Sequence, residues 1–240
     1  MSLGRIYNDD CFECIHDIAN ECEHPVIVTD PPFNIGYHYN DYSDHMDDNE
    51  YYGSLAEIFN DYPSVVVHYP ESLHRLTLEM GVAPDRVVSW VYPSNTRRQH
   101  RDIAFYGIQP DFTRVRRPYR NPNDKRVREL QKRTGGGRSY DWVEYNQVKN
   151  VSKEKTSHPC QMPLALMMDI IGWLSGYEDI TVIDPFAGSG TTAVACERRG
   201  IPWRAIEVDR SYCEIIHDRI EMADSHGSGN VYNDFIRHGD

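Results

Sequence analysis

The chain has 240 residues, 40% of them hydrophobic, and a formal net charge of −12. That length suits one large α/β domain or a domain with a modest insertion, and the composition excludes a disordered tail or a small disulfide scaffold. An average this acidic argues, at first sight, against a nucleic-acid partner.

In chain order, a weak β-rich run at Arg5–Tyr7 precedes a helical pattern at Cys11–Asn20 and a strand at Pro25–Thr29. Further helices are expected at Tyr51–Phe59 and Glu71–Met80, with strands at Ser64–Tyr69 and Arg86–Tyr92. The alternation fails from about Ser94 to Val148, where Pro, Arg, Asn and Gly135–Gly137 dominate around one basic helix at Asp124–Arg133. It resumes with helices at Pro163–Leu174, Thr191–Arg199 and Ser211–Met222, and strands at Ile180–Asp184 and Trp203–Glu207. Strands alternating with helices imply a mostly parallel sheet covered on both faces. The expected organisation is 1–93 and 149–224 as two parts of one domain, 94–148 as an insertion, and 225–240 as a loose tail. No apolar run nears the ~20 residues of a membrane span, and Met1–Asp10 lacks a signal-peptide pattern. Six cysteines without a regular framework suit a reducing cytoplasm, so a cytoplasmic protein with no membrane partner is expected.

Charge is segregated along the chain. Residues 1–62 hold fourteen acids against Arg5 alone, whereas residues 97–138 hold thirteen Lys or Arg and four acids. Phe105, Tyr106, Phe112, Tyr119, Tyr140 and Trp142 are interleaved with the basic residues, a pattern suited to phosphate pairing plus stacking. Arg97, Arg98, Arg114, Arg116, Arg117, Arg120, Arg126, Lys132, Arg133 and Arg138 are the expected DNA contacts. The acidic remainder, with five Lys against twenty Arg, is a composition that stays soluble in high salt.

Two segments carry chemistry. The first, D-P-F-A-G-S-G-T-T (Asp184 to Thr192), links an apolar strand to a helix. Its glycines allow close backbone approach, and the helix start offers free N–H groups to an anionic group. No Gly-Lys-Ser/Thr follows, so it is not a P-loop. Glu207, ending the next strand, is placed to accept hydrogen bonds from ribose hydroxyls. In the second segment, V-I-V-T-D-P-P-F-N-I-G-Y (Val26 to Tyr37), an acid at a strand end meets two stiffening prolines and an aromatic ring. Asp30, Pro31, Pro32 and Phe33 thus form rigid acceptors beside a ring, suited to a planar amine.

D-P-P-F together with D-P-F-A-G-S-G-T-T resembles the S-adenosylmethionine-dependent amino-methyltransferases of DNA, whose signature loops are D/N/S-P-P-Y/F and F-x-G-x-G. The order, catalytic loop first and cofactor loop last, is similar to their circularly permuted β class. Y-N-D-D-C-F-E (7–13), H-P-C-Q-M-P (158–163) and W-R-A-I-E-V-D (203–209) extend the resemblance over nearly the whole chain. It implies a Rossmann-like methyltransferase fold with a seven-stranded, mostly parallel sheet and a small target-recognition insertion. Asp30, Pro31, Pro32 and Phe33 would be catalytic. Asp10, Cys11, His158, Gln161, Asp184, Pro185, Phe186, Gly188, Gly190, Thr191, Thr192 and Glu207 would bind S-adenosylmethionine. The partner implied is double-stranded DNA, with a homodimer and a cognate restriction endonuclease acting on the same site as further partners to test. Asp before P-P favours adenine N6; cytosine N4 is the alternative, and a non-catalytic DNA-binding relic of the fold is the reading from another class. Met162 departs from the lysine of H-P-x-Q-K-P, which places cofactor affinity in question.

Three other patterns compete with these. Pro159-Cys160-Gln161 spells the nucleophile motif of cytosine carbon-5 methyltransferases, without its Gly-Pro-rich loop and on the wrong side of the cofactor loop. Cys11, Cys14, Cys22 and His24 mimic a zinc quartet, but helical spacing favours packing, and no metal is expected. Asp41, Asp44, Asp47, Asp48 and Glu50 read as a solvated loop lacking the EF-hand pattern.

Overall fold

A computed structural model describes residues 3–36, 45–95, 97–121 and 123–225. Local signals build the N-terminal part directly. Asp10 accepts the Phe12 N–H and caps α1 (Cys11–Asn20), whose Cys11, Ile15, Ile18 and Ala19 form one buried stripe. β1 (Gly4–Tyr7) precedes it, and β2 (His24–Thr29) follows. Asp47 caps α2 (Asp48–Asp61), so Asp48 and Glu50 fall in a first helical turn rather than in the expected loop. Asp41 and Asp44 lie outside the described residues. Next come β3 (Ser64–His68), α3 (Pro70–Met80) and β4 (Arg86–Val91).

The first departure from expectation comes at β5 (His100–Tyr106). It lies inside the segment assigned to the insertion, yet it is a central strand, antiparallel to both β3 and β4. The part of 94–148 that stands outside the sheet therefore begins after Tyr106. It holds α4 (Lys125–Thr134), none of whose residues is buried, and the chain then returns to the sheet edge at the short β6 (Trp142–Glu144). α5 (Leu164–Leu174), β7 (Ile180–Asp184), α6 (Thr191–Arg199), β8 (Trp203–Ile206) and α7 (Arg210–Ser225) complete the order. The tail from 226 onward lies outside the described residues.

The sheet has eight strands in the order β1-β8-β7-β2-β3-β5-β4-β6, one more than expected because β6 pairs in parallel with β4. All neighbours are parallel except those of β5. Alternation along the strands divides the core: Val26 and Val28 pack with α5 and α6, while Ile27 packs with α1, α2 and α3. The insertion is clamped to α5. Phe112 meets Trp173 edge-on at 5.4 Å, and the Trp173 indole N–H donates to Ser139 Oγ at 3.0 Å.

From β2 the chain passes to β3 on one side, and from β7 to β8 on the other. Their C-terminal ends thus frame a switch point, the place where open α/β sheets bind ligands.

Candidate active site

A cleft of about 1070 Å³, its mouth included, opens at that switch point. It is lined by Asp10 and Cys11, the D-P-P-F residues Asp30, Pro31, Pro32 and Phe33, and His158. Asp184, Pro185, Phe186, Gly188, Thr191, Thr192 and Glu207 also line it, whereas Gln161 and Gly190 of the expected set do not. Loops far apart in sequence are tied at one point, since Thr29 Oγ1 donates to Asp184 Oδ1 at 2.7 Å. Thr192 Oγ1 donates to Asp184 Oδ2 at 2.6 Å, and the Phe186 N–H to Oδ1 at 3.2 Å. Asp184 is therefore a tether between the two loops.

Gly188 has φ +51, and a Cβ there would stand 2.8 Å from His158 Nε2. Only glycine lets the loop lie against that ring while the cleft stays open. Gly190, at φ +74 before α6, meets α7 instead: its Cβ would stand 2.7 Å from Ile216 Cγ2. Glu207 Oε2 accepts the Gly188 N–H and Oε1 the Asp209 N–H, both at 2.8 Å. Burial, against those two bonds, pushes its carboxyl up to about 7. Gln161 does not line the cleft; its amide binds Thr156 and the Glu154 carbonyl and braces the H-P-C-Q loop. His158 packs edge-on against Tyr212 at 4.5 Å, and burial lowers its pKa to about 4.

The D-P-P-F side is built by residues no local motif announces. Tyr51 of α2 donates its hydroxyl hydrogen to the Pro32 carbonyl and lies 3.1 Å from His68 Nε2. His68 Nδ1 accepts the Tyr69 N–H at 2.8 Å, so the ring is neutral with its proton on Nε2. Burial lowers its pKa to about 3, in keeping with that tautomer. Phe33 stands 5.0 Å from both His68 and Tyr69. Arg101 of β5 places its guanidinium 4.4 Å from the Phe33 ring centroid and 3.3 Å from Asp30 Oδ2. Burial raises the Asp30 carboxyl to about 7 against the pull of Arg101, with Asp184 adding to the rise. Arg101, His68, Tyr51 and Tyr69 were missed in the sequence. They sit in ordinary strand and helix patterns, and only pairing brings them to the loop.

None of the ten basic residues expected on DNA lines the cleft. Nine are exposed: Arg97, Arg98, Arg114, Arg116, Arg120, Arg126, Lys132, Arg133 and Arg138. Arg117 is committed to the protein, pairing with buried Asp169 of α5 and donating to the Tyr145 hydroxyl at 2.8 Å. Arg98 pairs with Glu71 and lies 4.3 Å over Tyr69. Arg120 lies 5.2 Å from Tyr140 and 5.1 Å from Trp142, two exposed, stacked rings.

The DNA methylase profile matches residues 86–218, more than half of the chain. The chain belongs to the DNA methylase family. Among curated relatives, the type II methyltransferase M.HpaI of Haemophilus parainfluenzae is 26% identical over 88% of this chain and 73% of its own length. M.BglII of Bacillus subtilis is 24% identical over 90% of this chain and 68% of its own length. Among solved structures, the PvuII DNA methyltransferase (cytosine-N4-specific) has a TM-score of 0.62 at 18% identity, covering 92% of this chain and 90% of that one. The M1.HpyAVI–SAM complex has a TM-score of 0.58 at 22% identity, covering 90% of this chain and 98% of that one. The chain is thus an S-adenosylmethionine-dependent DNA amino-methyltransferase of the N6/N4 kind on the Rossmann-like methyltransferase fold. Among the described residues, no helix is long and apolar enough to cross a membrane.

Proposed function

We propose that this DNA methylase methylates the exocyclic N6 of adenine in double-stranded DNA, with Asp30, Pro31 and Phe33 at the reacting amine. The observation that carries the reading is Asp30 before Pro31-Pro32: a largely buried acid whose Oδ1 has no hydrogen-bond partner and which lines the cleft. An exocyclic amine is a poor nucleophile because its lone pair is delocalised into the ring. Asp30 and the Pro31 carbonyl accept its hydrogens, localising that lone pair, and Asp30 or a water takes the surplus proton as positive charge develops. Phe33 offers the ring face on which a base swung out of the duplex would stack.

The cleft fits the cofactor by its own geometry. Gly188 leaves open a cradle that a Cβ would fill, and Glu207 stands at the end of β8 beside it. Asp10, Cys11, His158, Pro185, Phe186, Gly188 and Glu207 would hold S-adenosylmethionine there. Asp184, Gly190, Gln161 and Thr192 would shape the loops around it. When bound, S-adenosylmethionine supplies an electrophilic sulfonium methyl. Holding the amine beside that methyl would supply part of the acceleration. The exposed basic residues of the insertion would contact phosphates and base edges.

Nucleoside analysis of DNA methylated in vitro tests the reading directly. N6-methyladenine is expected, and N4-methylcytosine in its place would overturn the adenine assignment. Absence of both, with cofactor binding intact, would favour the non-catalytic relic.

A further inference from the structure

A buried arginine in a central strand is costly unless it is fully paired, because desolvating a guanidinium outweighs a loose ion pair. Arg101 does not meet that condition. Its side chain is only 11% exposed, as is that of Asp30, yet the two meet through one nitrogen and one oxygen at 3.3 Å. A bidentate fork would satisfy both groups. Instead Arg101 Nε and Asp30 Oδ1 are both buried without a hydrogen-bond partner. The rest of the guanidinium is held by hydrogen bonds to the Tyr69 and Tyr92 side chains and by rings, 4.4 Å from the Phe33 centroid and 5.3 Å from those of Tyr69 and Trp90. Its Nη1 also lies 3.9 Å from Met162 Sδ. Where the resemblance has a lysine, this chain therefore has an apolar side chain against a cation delivered from β5. A lysine at 162 would set two positive charges side by side.

Resting on the assignment of Asp30 as the group that receives the amine hydrogen, we propose that Arg101 is a positioning residue for methyl transfer. It holds Asp30 through Oδ2, leaving Oδ1 as the oxygen without a protein partner, and it fixes Phe33 in the same unit. The ionisable groups directly facing Asp30 are Arg101 from β5 and Asp184 from the end of β7. His68 and Tyr69 from the end of β3 pack on the adjacent Phe33, and Tyr51 from α2 bonds to Pro32. Of these, Arg101 is the one that favours the ionised acid, Asp184 opposes it, and His68 is neutral. Removing the guanidinium lifts the Asp30 pKa further above its position of about 7, leaving less carboxylate at neutral pH.

The test follows single-turnover incorporation of tritiated methyl groups into unmethylated plasmid DNA, from pH 5.5 to 9, with Arg101→Gln, Arg101→Lys and Asp30→Asn. For Arg101→Gln the acid limb should move up by at least about one pH unit, with transfer at pH 7 down about tenfold or more. Cofactor affinity, measured by calorimetry on the same preparation, should stay within about threefold, which also reports that the variant is folded. Arg101→Lys should restore most of the limb, since it keeps the cation. An Arg101→Gln limb that stays at the wild-type position overturns the role of Arg101, whether or not the rate falls. If Asp30→Asn is inactive in that case, the assignment of Asp30 survives. Undiminished transfer by Asp30→Asn overturns both.

Discussion

The two walls of the cleft, one proposed for the cofactor and the other for the base, reach rigidity by different routes. On the cofactor wall, Glu207 collects the N–H groups of Gly188 and Asp209, and Thr192 closes onto Asp184, all between Asp184 and Asp209. On the base wall, Asp30 and Phe33 are held by Tyr51, His68, Tyr69 and Arg101, the last 71 residues away. The first wall centres on a strand–loop–helix unit, tied to β2 through Thr29 and packed against His158. The second is assembled by pairing β2, β3 and β5 and by packing α2 on them.

Substitutions can break this contrast, and the largest effect is expected on the base wall. Asp30→Ala should lower methyl transfer by about 10²–10⁴-fold, with cofactor binding little changed. Equal losses in both would merge the two walls into one unit. Next in size is the anchor of the insertion: Arg117→Ala leaves the Asp169 carboxylate buried without its cation and should cost about 3 kcal/mol in denaturant unfolding. A loss in DNA affinity without a loss of stability would return Arg117 to the DNA-contact set. On the cofactor wall, Gly188→Ala forces a Cβ to within 2.8 Å of His158 in a left-handed backbone position. It should weaken S-adenosylmethionine binding by about 10–100-fold while DNA binding persists, as titration of each ligand would reveal. The smallest change is on the exposed basic face. Arg126→Ala and Arg133→Ala should each reduce the slope of log affinity against log salt by about 1. An unchanged slope would remove those side chains from the phosphate contacts.

Legibility followed the same division. Cys11–Asn20, Ile180–Asp184 and Thr191–Arg199 agree end to end with the sequence expectation, because caps, apolar stripes and Gly-rich turns act over a few residues. β5 was hidden: His100, Arg101 and Asp102 are polar, and they start a strand whose apolar part is only Ile103–Tyr106. Counting its arginine among the basic residues placed the strand in the insertion. Residue type likewise marked Arg117 for DNA and Gln161 for the cofactor, and the structure shows each bonded within the protein. Residue type announces what a side chain can bind, but not whether the fold has already used it.

The sequence by itself determined the two signature loops, their order and the separation of an acidic body from a basic insertion. These are local patterns of charge, glycine and apolar spacing. Only the tertiary structure decided that the loops meet at one switch point, that Asp30 faces a guanidinium from β5, and which arginines remain exposed. Those outcomes depend on strand order and burial, and desolvation acts on groups that packing brings together, however far apart they lie in the chain.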